Sequence, residues 1–207
     1  FNIKRHPDGR ITGKPLFGNR SPYVTNQNGF GSGLADTVFL PLVYDYKLNG
    51  NNDSLQKLYD LYDYYHDQGW AEGSGLGSWN LGILRTTGYF ISVYLMKDEL
   101  KQTNRLDREM GAFNWYSDFG KIFIDPEKEK ESSNSDDLRT NSLNRLLYIL
   151  MMEDSPEKVQ AMKSYVNWFN NTLNVGNYLS GTIKPDYMGF HHQAPYMSAY
   201  APDAYHL

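Results

Sequence analysis

No cysteine occurs in this chain of 207 residues, which excludes disulfide cross-links and thiolate metal sites and leaves the redox compartment unread. No apolar run approaches the roughly 18 residues that a membrane-crossing helix needs, so membrane insertion is not expected. Neither a glycine-rich phosphate loop nor a basic stripe with a nucleic-acid-binding motif is found, and no nucleic-acid partner is expected. Alternating strand patterns are almost missing as well. The chain opens at Phe1 without an initiator methionine or a signal-peptide pattern, as expected of a piece of a longer polypeptide.

What remains is a soluble, globular composition, with 40% apolar and 21% charged residues. The length allows one domain with a substantial core. Seventeen tyrosines and four tryptophans supply flat rings with polar tips, suited to stacking on sugars and equally to wet interfaces. The net charge is -4, yet residues 1–20 carry Lys4, Arg5, Arg10, Lys14 and Arg20 against Asp8 alone. Such a basic arm is either a solvated surface or a device that steers a polyanion.

From about Gly33 onward the pattern is helical. Residues 34–48 are expected to form one helix, ended by the tract from Asn49 to Asn52. In the next, Asp53 can cap, Gln56 follows three positions on, and Leu55, Leu58, Tyr59, Tyr62 and Tyr65 keep a helical period until Gly69. The glycine-rich AEGSGLGSWN then leads into a helix from about Leu81 to Met96. Residues 105–123 are expected to be helical with Met110, Phe113 and Phe119 inward. The run DPEKEKESSNSDD reads as a solvated connection. Leu143, Leu146, Leu147 and Leu150 mark another helix. Ser155 followed by Pro156 signals the start of the last one, with Val159, Met162, Val166 and Phe169 as its buried stripe. The expected fold class is all-α, built of antiparallel helical hairpins.

Chemistry concentrates near the C-terminus. KPDYMGFHHQAPYMSAYAPDAY, from Lys184 to Tyr205, holds two adjacent histidines and four tyrosines with almost no aliphatic residues. Imidazole and phenol can each move a proton to or from a substrate, and His192 and Tyr200 stand eight residues apart. That pairing suits proton abstraction next to a carboxylate.

The stretches DQGWAEGSGLGSWN with GYFISVYLMKDEL, NSLNRLLYILMMED, and KPDYMGFHHQAPYMSAY occur in this order. In order and spacing the chain resembles chondroitin and hyaluronan lyases of polysaccharide lyase family eight, most of all the chondroitin sulfate ABC lyase branch. The resemblance implies that residues 1–207 are a fragment of a single catalytic domain. Residues 1–32 would be an irregular basic arm, and residues 33–207 helical hairpins of an incomplete (α/α) toroid ending in a catalytic loop. It implies β-elimination on an acidic polysaccharide such as chondroitin sulfate, dermatan sulfate or hyaluronan, with no cofactor required, in a secreted or periplasmic protein. Carried over residue by residue, His192, six positions after Asp186, is the catalytic histidine and Tyr200 the catalytic tyrosine. A gapless count back from Tyr200 selects His191 instead, which stays open as the alternative.

Asn141, in RTNSLNR, matches the asparagine that neutralises the substrate carboxylate, although an asparagine there is also an ordinary helix N-cap. Trp79 and Asn80 match a sugar-positioning patch, with one tryptophan where two adjacent ones are usual. Tyr196 and Arg145 are further substrate-binding candidates. The family's arginine and glutamate lie beyond Leu207, with Arg145 or Arg139 as substitutes for the arginine. Two rival readings come from the residues themselves: a glycoside hydrolase using Asp186 and Glu72 as its carboxylate pair, and a non-catalytic glycan-binding module. A metal site from His191, His192, Asp186 and His206 is not expected, because adjacent histidines rarely ligate one ion from the same face.

Overall fold

The structure, a computed structural model, describes residues 2–15, 30–74, 86–124, 135–176, 182–191 and 194–195. As the helical periodicity indicates, the chain is all-α. Seven α-helices are accompanied by two small antiparallel ladders among the described residues. They belong to two compact units, Phe1–Tyr116 and Ser117–Leu207.

The first unit opens with β1 (Lys4–Arg5) paired to β2 (Ile11–Thr12), where an irregular arm was expected. The turn between them needs Gly9, whose φ of 84° lies in the left-handed region. Arg5 reaches α2 (Asn52–Asp67), donating to Asp60 at 2.6 Å and to Asp63 at 2.5 Å, while Arg10 pairs with Asp8. At least these cations of the arm have carboxylate partners, which weakens the reading of the arm as a steering surface.

The helix expected over residues 34–48 changes type along its length. Wide π-type turns run over Phe30–Phe39 and continue directly into α1 (Leu40–Asn49), with Phe39 helical at φ -58° and ψ -52° and Pro41 at the junction. Gly50, at φ 68°, closes α1 by donating its N–H to Tyr46 O. Asn51, not Asp53, caps α2: its side chain accepts the Asp53 N–H at 3.0 Å. The short link makes α1 and α2 a packed hairpin.

Helices α3 (Thr87–Leu95), α4 (Lys97–Gln102) and α5 (Leu106–Tyr116) complete the unit. The part of the expected helix before residue 86 lies outside the described residues. Gly88 is required by close approach, since a Cβ there would meet Ala35 O at 2.4 Å, and its N–H donates to Asp36 Oδ1 at 3.1 Å.

Phe39, Tyr62, Tyr65, Trp70, Tyr89 and Phe90 form the core through edge-to-face and stacked contacts, and Trp70 stacks on Tyr116 at 3.8 Å between centroids. Tyr62, Tyr64, Tyr65 and Tyr89 are therefore core residues with satisfied or shielded phenols, not sugar platforms. Tyr62 donates to Ser92 Oγ at 2.9 Å, Tyr64 to Lys14 O and Tyr89 to the buried Glu109. Burial pushes the Tyr62, Tyr65 and Tyr89 phenols well above their ordinary value.

Asp63 gathers three arginines: Arg5 at 2.5 Å, Arg105 through two nitrogens at 2.8 and 3.1 Å, and Arg108 at 2.7 Å. Burial alone would raise its carboxyl. Hydrogen bonds from Arg105, Arg108 and Arg5 outweigh that and hold it well below the usual carboxylate range. Because the folded value lies below the unfolded one of about 3.9, the stabilisation is complete above that pH and is lost as pH falls toward the folded value. We expect Asp63→Ala to lower unfolding free energy by about 3 kcal/mol at neutral pH, since it leaves clustered arginines unpaired. Thermal melting from neutral to acid pH checks this: the gap between wild type and variant should narrow as pH falls below about 4.

The second unit begins with a break. Residues 105–123 are not one helix: α5 stops at Tyr116, Asp118 turns left-handed at φ 49°, and a short 3-10 helix follows over Phe119–Phe123. In α6 (Ser135–Met151) and α7 (Pro156–Leu173) the hairpin pattern returns. Ser155 caps α7 as anticipated, its side chain accepting the Lys158 N–H at 3.3 Å, with Pro156 in the first turn. The buried stripes match the expected ones in part, since Leu147 is buried and Leu146, Met162 and Phe169 pack against the core. Leu143 and Leu150 are 40% and 39% exposed, Val159 and Val166 55% and 46%. The core holds Phe119, Ile122, Leu138, Ile149, Ala161, Tyr165 and Trp168, with Leu146, Met162 and Phe169 packed at its margin. The other half of each stripe lies outside because aromatic rings of α7 and the polar row of α6 also turn inward.

Candidate functional site

Asp137, Asn141 and Arg145 follow one another at four-residue steps, so α6 presents them as a row along one face. That face is buried yet polar: Thr140, Asn141, Ser142, Asn144 and Arg145 are all removed from solvent. An ordinary amphipathic helix would place such residues outside.

Arg145 has no exposed side-chain surface. Its Nη1 donates to Asp137 Oδ2 at 2.9 Å, its Nη2 to Asp137 Oδ1 at 3.0 Å, and its Nε to the Ser117 carbonyl at 3.0 Å. The guanidinium also lies 4.5 Å from the centroid of the Trp168 ring. Nearby, burial pushes the Tyr165 phenol up, opposed by the charge of Arg145. Asp137 has capacity left over, and Asn141 uses it: Nδ2 donates to Asp137 Oδ1 at 2.8 Å.

Asn141 is thus an interior helical residue only 8% exposed, not an N-cap. Its Oδ1, with Ser142 Oγ and Asn144 Oδ1, is buried and makes no hydrogen bond among the described residues, although Asn144 Nδ2 donates to Thr140 O at 2.9 Å. Each unsatisfied buried group costs about 1–3 kcal/mol. Three such atoms within one turn of α6 set this polar row apart from an ordinary core.

A second element lies against this helix. After α7, Thr182 Oγ1 donates to Thr172 O at 2.7 Å and ties the returning chain to the helix end. The chain then reverses between Lys184 and Met188. Tyr187 donates its N–H to Lys184 O at 2.7 Å, adopts a φ of 61°, and Asp186 Oδ1 accepts the Met188 N–H at 3.1 Å. An exposed carboxylate committed to a turn is poorly placed as a hydrolase acid. The strand β3 (Phe190–His191) then pairs with β4 (Ala194–Pro195), with His191 opposite Ala194, and β3 lies beside α6. The backbone of His191 is thereby brought next to the helix that carries Asn141.

His192, Tyr196, Tyr200, Trp79, Asn80 and His206 lie outside the described residues. Among the sequence-derived candidates, the structure unites Asn141 and Arg145. It adds Asp137, which was read as part of a solvated charge run, together with Ser117 and Trp168. The four-residue spacing of Asp137, Asn141 and Arg145 was the available signal. Glu72, the other proposed hydrolase carboxylate, is exposed on the first unit, where a Cβ at Gly111 would come within 3.0 Å of it.

The fold is an all-α one with a buried polar row on α6, and comparison with known proteins supplies the class: a lyase catalytic domain. Residues 41–206 match the family described as "Lyase, catalytic", and the chain belongs to this family, polysaccharide lyase family eight. It is 33% identical over 146 residues to a chondroitin sulfate ABC exolyase of Bacteroides thetaiotaomicron, an alignment covering 70% of this chain and 14% of that protein. It is 30% identical over 223 residues to a chondroitin sulfate ABC exolyase of Proteus vulgaris, covering 98% of this chain and 22% of that one. A chondroitin sulfate ABC endolyase of Proteus vulgaris is 25% identical over 131 residues, or 63% of this chain and 13% of that protein. The chain therefore spans less than a quarter of the length of these curated relatives.

Proposed function

We propose that this chain forms part of the catalytic domain of a glycosaminoglycan lyase, cleaving chondroitin sulfate, dermatan sulfate or hyaluronan by β-elimination. The observation that carries the reading is the buried Asn141 amide, its Nδ2 held by Asp137, on a helix flanked by the strand of His191.

The chemistry explains why an amide belongs there. In a uronate the C5 proton is adjacent to the carboxylate, and removing it creates a dianionic enolate unless that carboxylate is neutralised. Asn141 has a second Nδ2 hydrogen beyond the one given to Asp137, and an N–H donor fixed in a low-dielectric site stabilises the developing charge. His192, with His191 as its alternative, shares the carboxylate. Tyr200 takes the C5 proton as the C4–C5 double bond forms and the C4–O bond breaks, then returns that proton to the departing C4 oxygen. Trp79, Asn80 and Tyr196 hold the sugar. A tyrosine pKa near 10 means that a phenolate at neutral pH costs roughly 3–4 kcal/mol, which a neighbouring cation must offset. Arg145 is committed to Asp137 and to the Ser117 carbonyl, so the cation must come from histidine or from elsewhere in the protein. The reaction requires no cofactor.

Secretion or a periplasmic location fits a polymeric substrate. No helix among the described residues is long and apolar enough to cross a membrane. The deciding experiment incubates the intact protein with chondroitin sulfate, dermatan sulfate and hyaluronan and follows ultraviolet absorbance. A lyase leaves an unsaturated uronate that absorbs; new reducing ends without that chromophore would identify a hydrolase, and binding without cleavage a glycan-binding module.

A further inference from the structure

Asp137 and Arg145 are too deeply enclosed to meet a polysaccharide, which removes Arg145 from the substrate-binding candidates, yet they govern Asn141, a described side chain assigned to it. An asparagine amide has two orientations of nearly equal shape, and they differ in which atom faces a ligand. Here the choice is made by the Asp137 carboxylate, which accepts only: Oδ1 takes the Asn141 Nδ2–H at 2.8 Å, and a flipped amide would set oxygen against oxygen. The carboxylate is in turn fixed by the two-pronged contact from Arg145, at 2.9 and 3.0 Å, whose third donor is anchored on the Ser117 carbonyl at 3.0 Å. Two rigid steps therefore connect the backbone at Ser117 to the amide of Asn141.

Charge supplies a second argument. A bare carboxylate one hydrogen bond away from Asn141 would repel an acidic sugar, and Arg145 cancels it, so the amide is oriented by an anion without an anionic field. Other networks could orient an amide by a backbone carbonyl. An ion pair sealed on one side by Trp168 at 4.5 Å costs desolvation that a purely structural position has little reason to retain.

We propose that Asp137, clamped by Arg145, is a positioning residue that sets the orientation of the Asn141 amide and so aims its second N–H at the substrate carboxylate. This rests on the lyase reading of Asn141. Neither residue contacts the sugar.

The test is a double-mutant cycle in the intact protein, read by unsaturated-product formation from chondroitin sulfate. Asp137→Asn is one arm. Asp137→Leu with Arg145→Met is the other, since replacing a buried ion pair by apolar residues of similar size is commonly tolerated by the fold, and melting temperature confirms it. Each is expected to lower kcat on the order of 10²-fold, the scale of a small misplacement of a reacting group, with KM changed far less. In an Asn141→Ala background the same substitutions should produce no further loss, because there is no amide left to orient. An equal loss in both backgrounds, or unchanged kcat in a folded variant lacking the pair, overturns the positioning role. Absence of unsaturated product from the unmodified protein is a separate result: it overturns the lyase reading and the inference with it.

Discussion

Tyr200→Phe in the intact protein is expected to lower the rate of unsaturated-product formation by roughly 10²- to 10⁴-fold, the range for removal of a positioned proton-transfer group. Binding of chondroitin sulfate should be nearly unchanged. The substitution removes one oxygen and leaves the ring, so stacking and shape are preserved while proton transfer is not. The same oxygen serves twice, taking the C5 proton and returning it to the C4 oxygen. The loss should therefore fall on kcat, and no exogenous leaving group with an activated oxygen should restore the first step. Titration calorimetry with the intact polymer, beside the absorbance assay, separates the two quantities. Most of the activity surviving in this variant would remove Tyr200 from the mechanism.

The second large effect is expected at Asn141. Asn141→Ala should reduce kcat by about 10²- to 10³-fold, comparable to loss of one donor from a charge-stabilising site. Stability should respond differently. The wild-type side chain gives Asp137 one hydrogen bond but buries an unpaired Oδ1, and truncation removes both, so unfolding free energy should change by no more than about 1 kcal/mol. A residue whose removal is severe for activity and nearly silent in a melting curve is one kept for its chemistry. Asn141→Asp should be worse than alanine for activity, because it sets a carboxylate against Asp137 and against the acidic sugar. Paired measurements of kcat and melting temperature test this, and a large fall in stability in Asn141→Ala would place the residue in the structural framework instead.

Helix existence was legible from periodicity and punctuation. Ser155 with Pro156 marked the start of α7 because a side-chain acceptor and a ring lacking N–H suit a helix entrance in any context. The α1–α2 hairpin was signalled by the asparagine and glycine tract, although the sequence could not say that Asn51 rather than Asp53 would accept the hydrogen bond. Leu147, Phe113 and Phe119 face inward as expected, and what escaped was the rest of the inward face of α6 and α7. Leu143, Leu150, Val159 and Val166 are apolar and exposed, whereas Asn144 and Arg145 are polar and buried. Periodicity assumes that apolar residues choose the interior, and α6 violates this where a polar network is held inside. The departure is itself the indication of function. Asp137 was hidden for a related reason: it sits at the end of a charge run whose composition suggests solvent, and only its register with Asn141 and Arg145 separates it from the neighbours.

The left-handed residue after α5 has a chemical consequence. In an unbroken helix the Ser117 oxygen would receive the N–H of residue 121, but the tight turns that follow Asp118 send the Lys121 N–H to Asp118 O instead. One acceptor is thereby released from the helical ladder, and it is the one that Arg145 takes. The interruption is a docking point for a guanidinium, and a change at Asp118 that let the helix continue would be felt, through that lost anchor, at an amide on another helix.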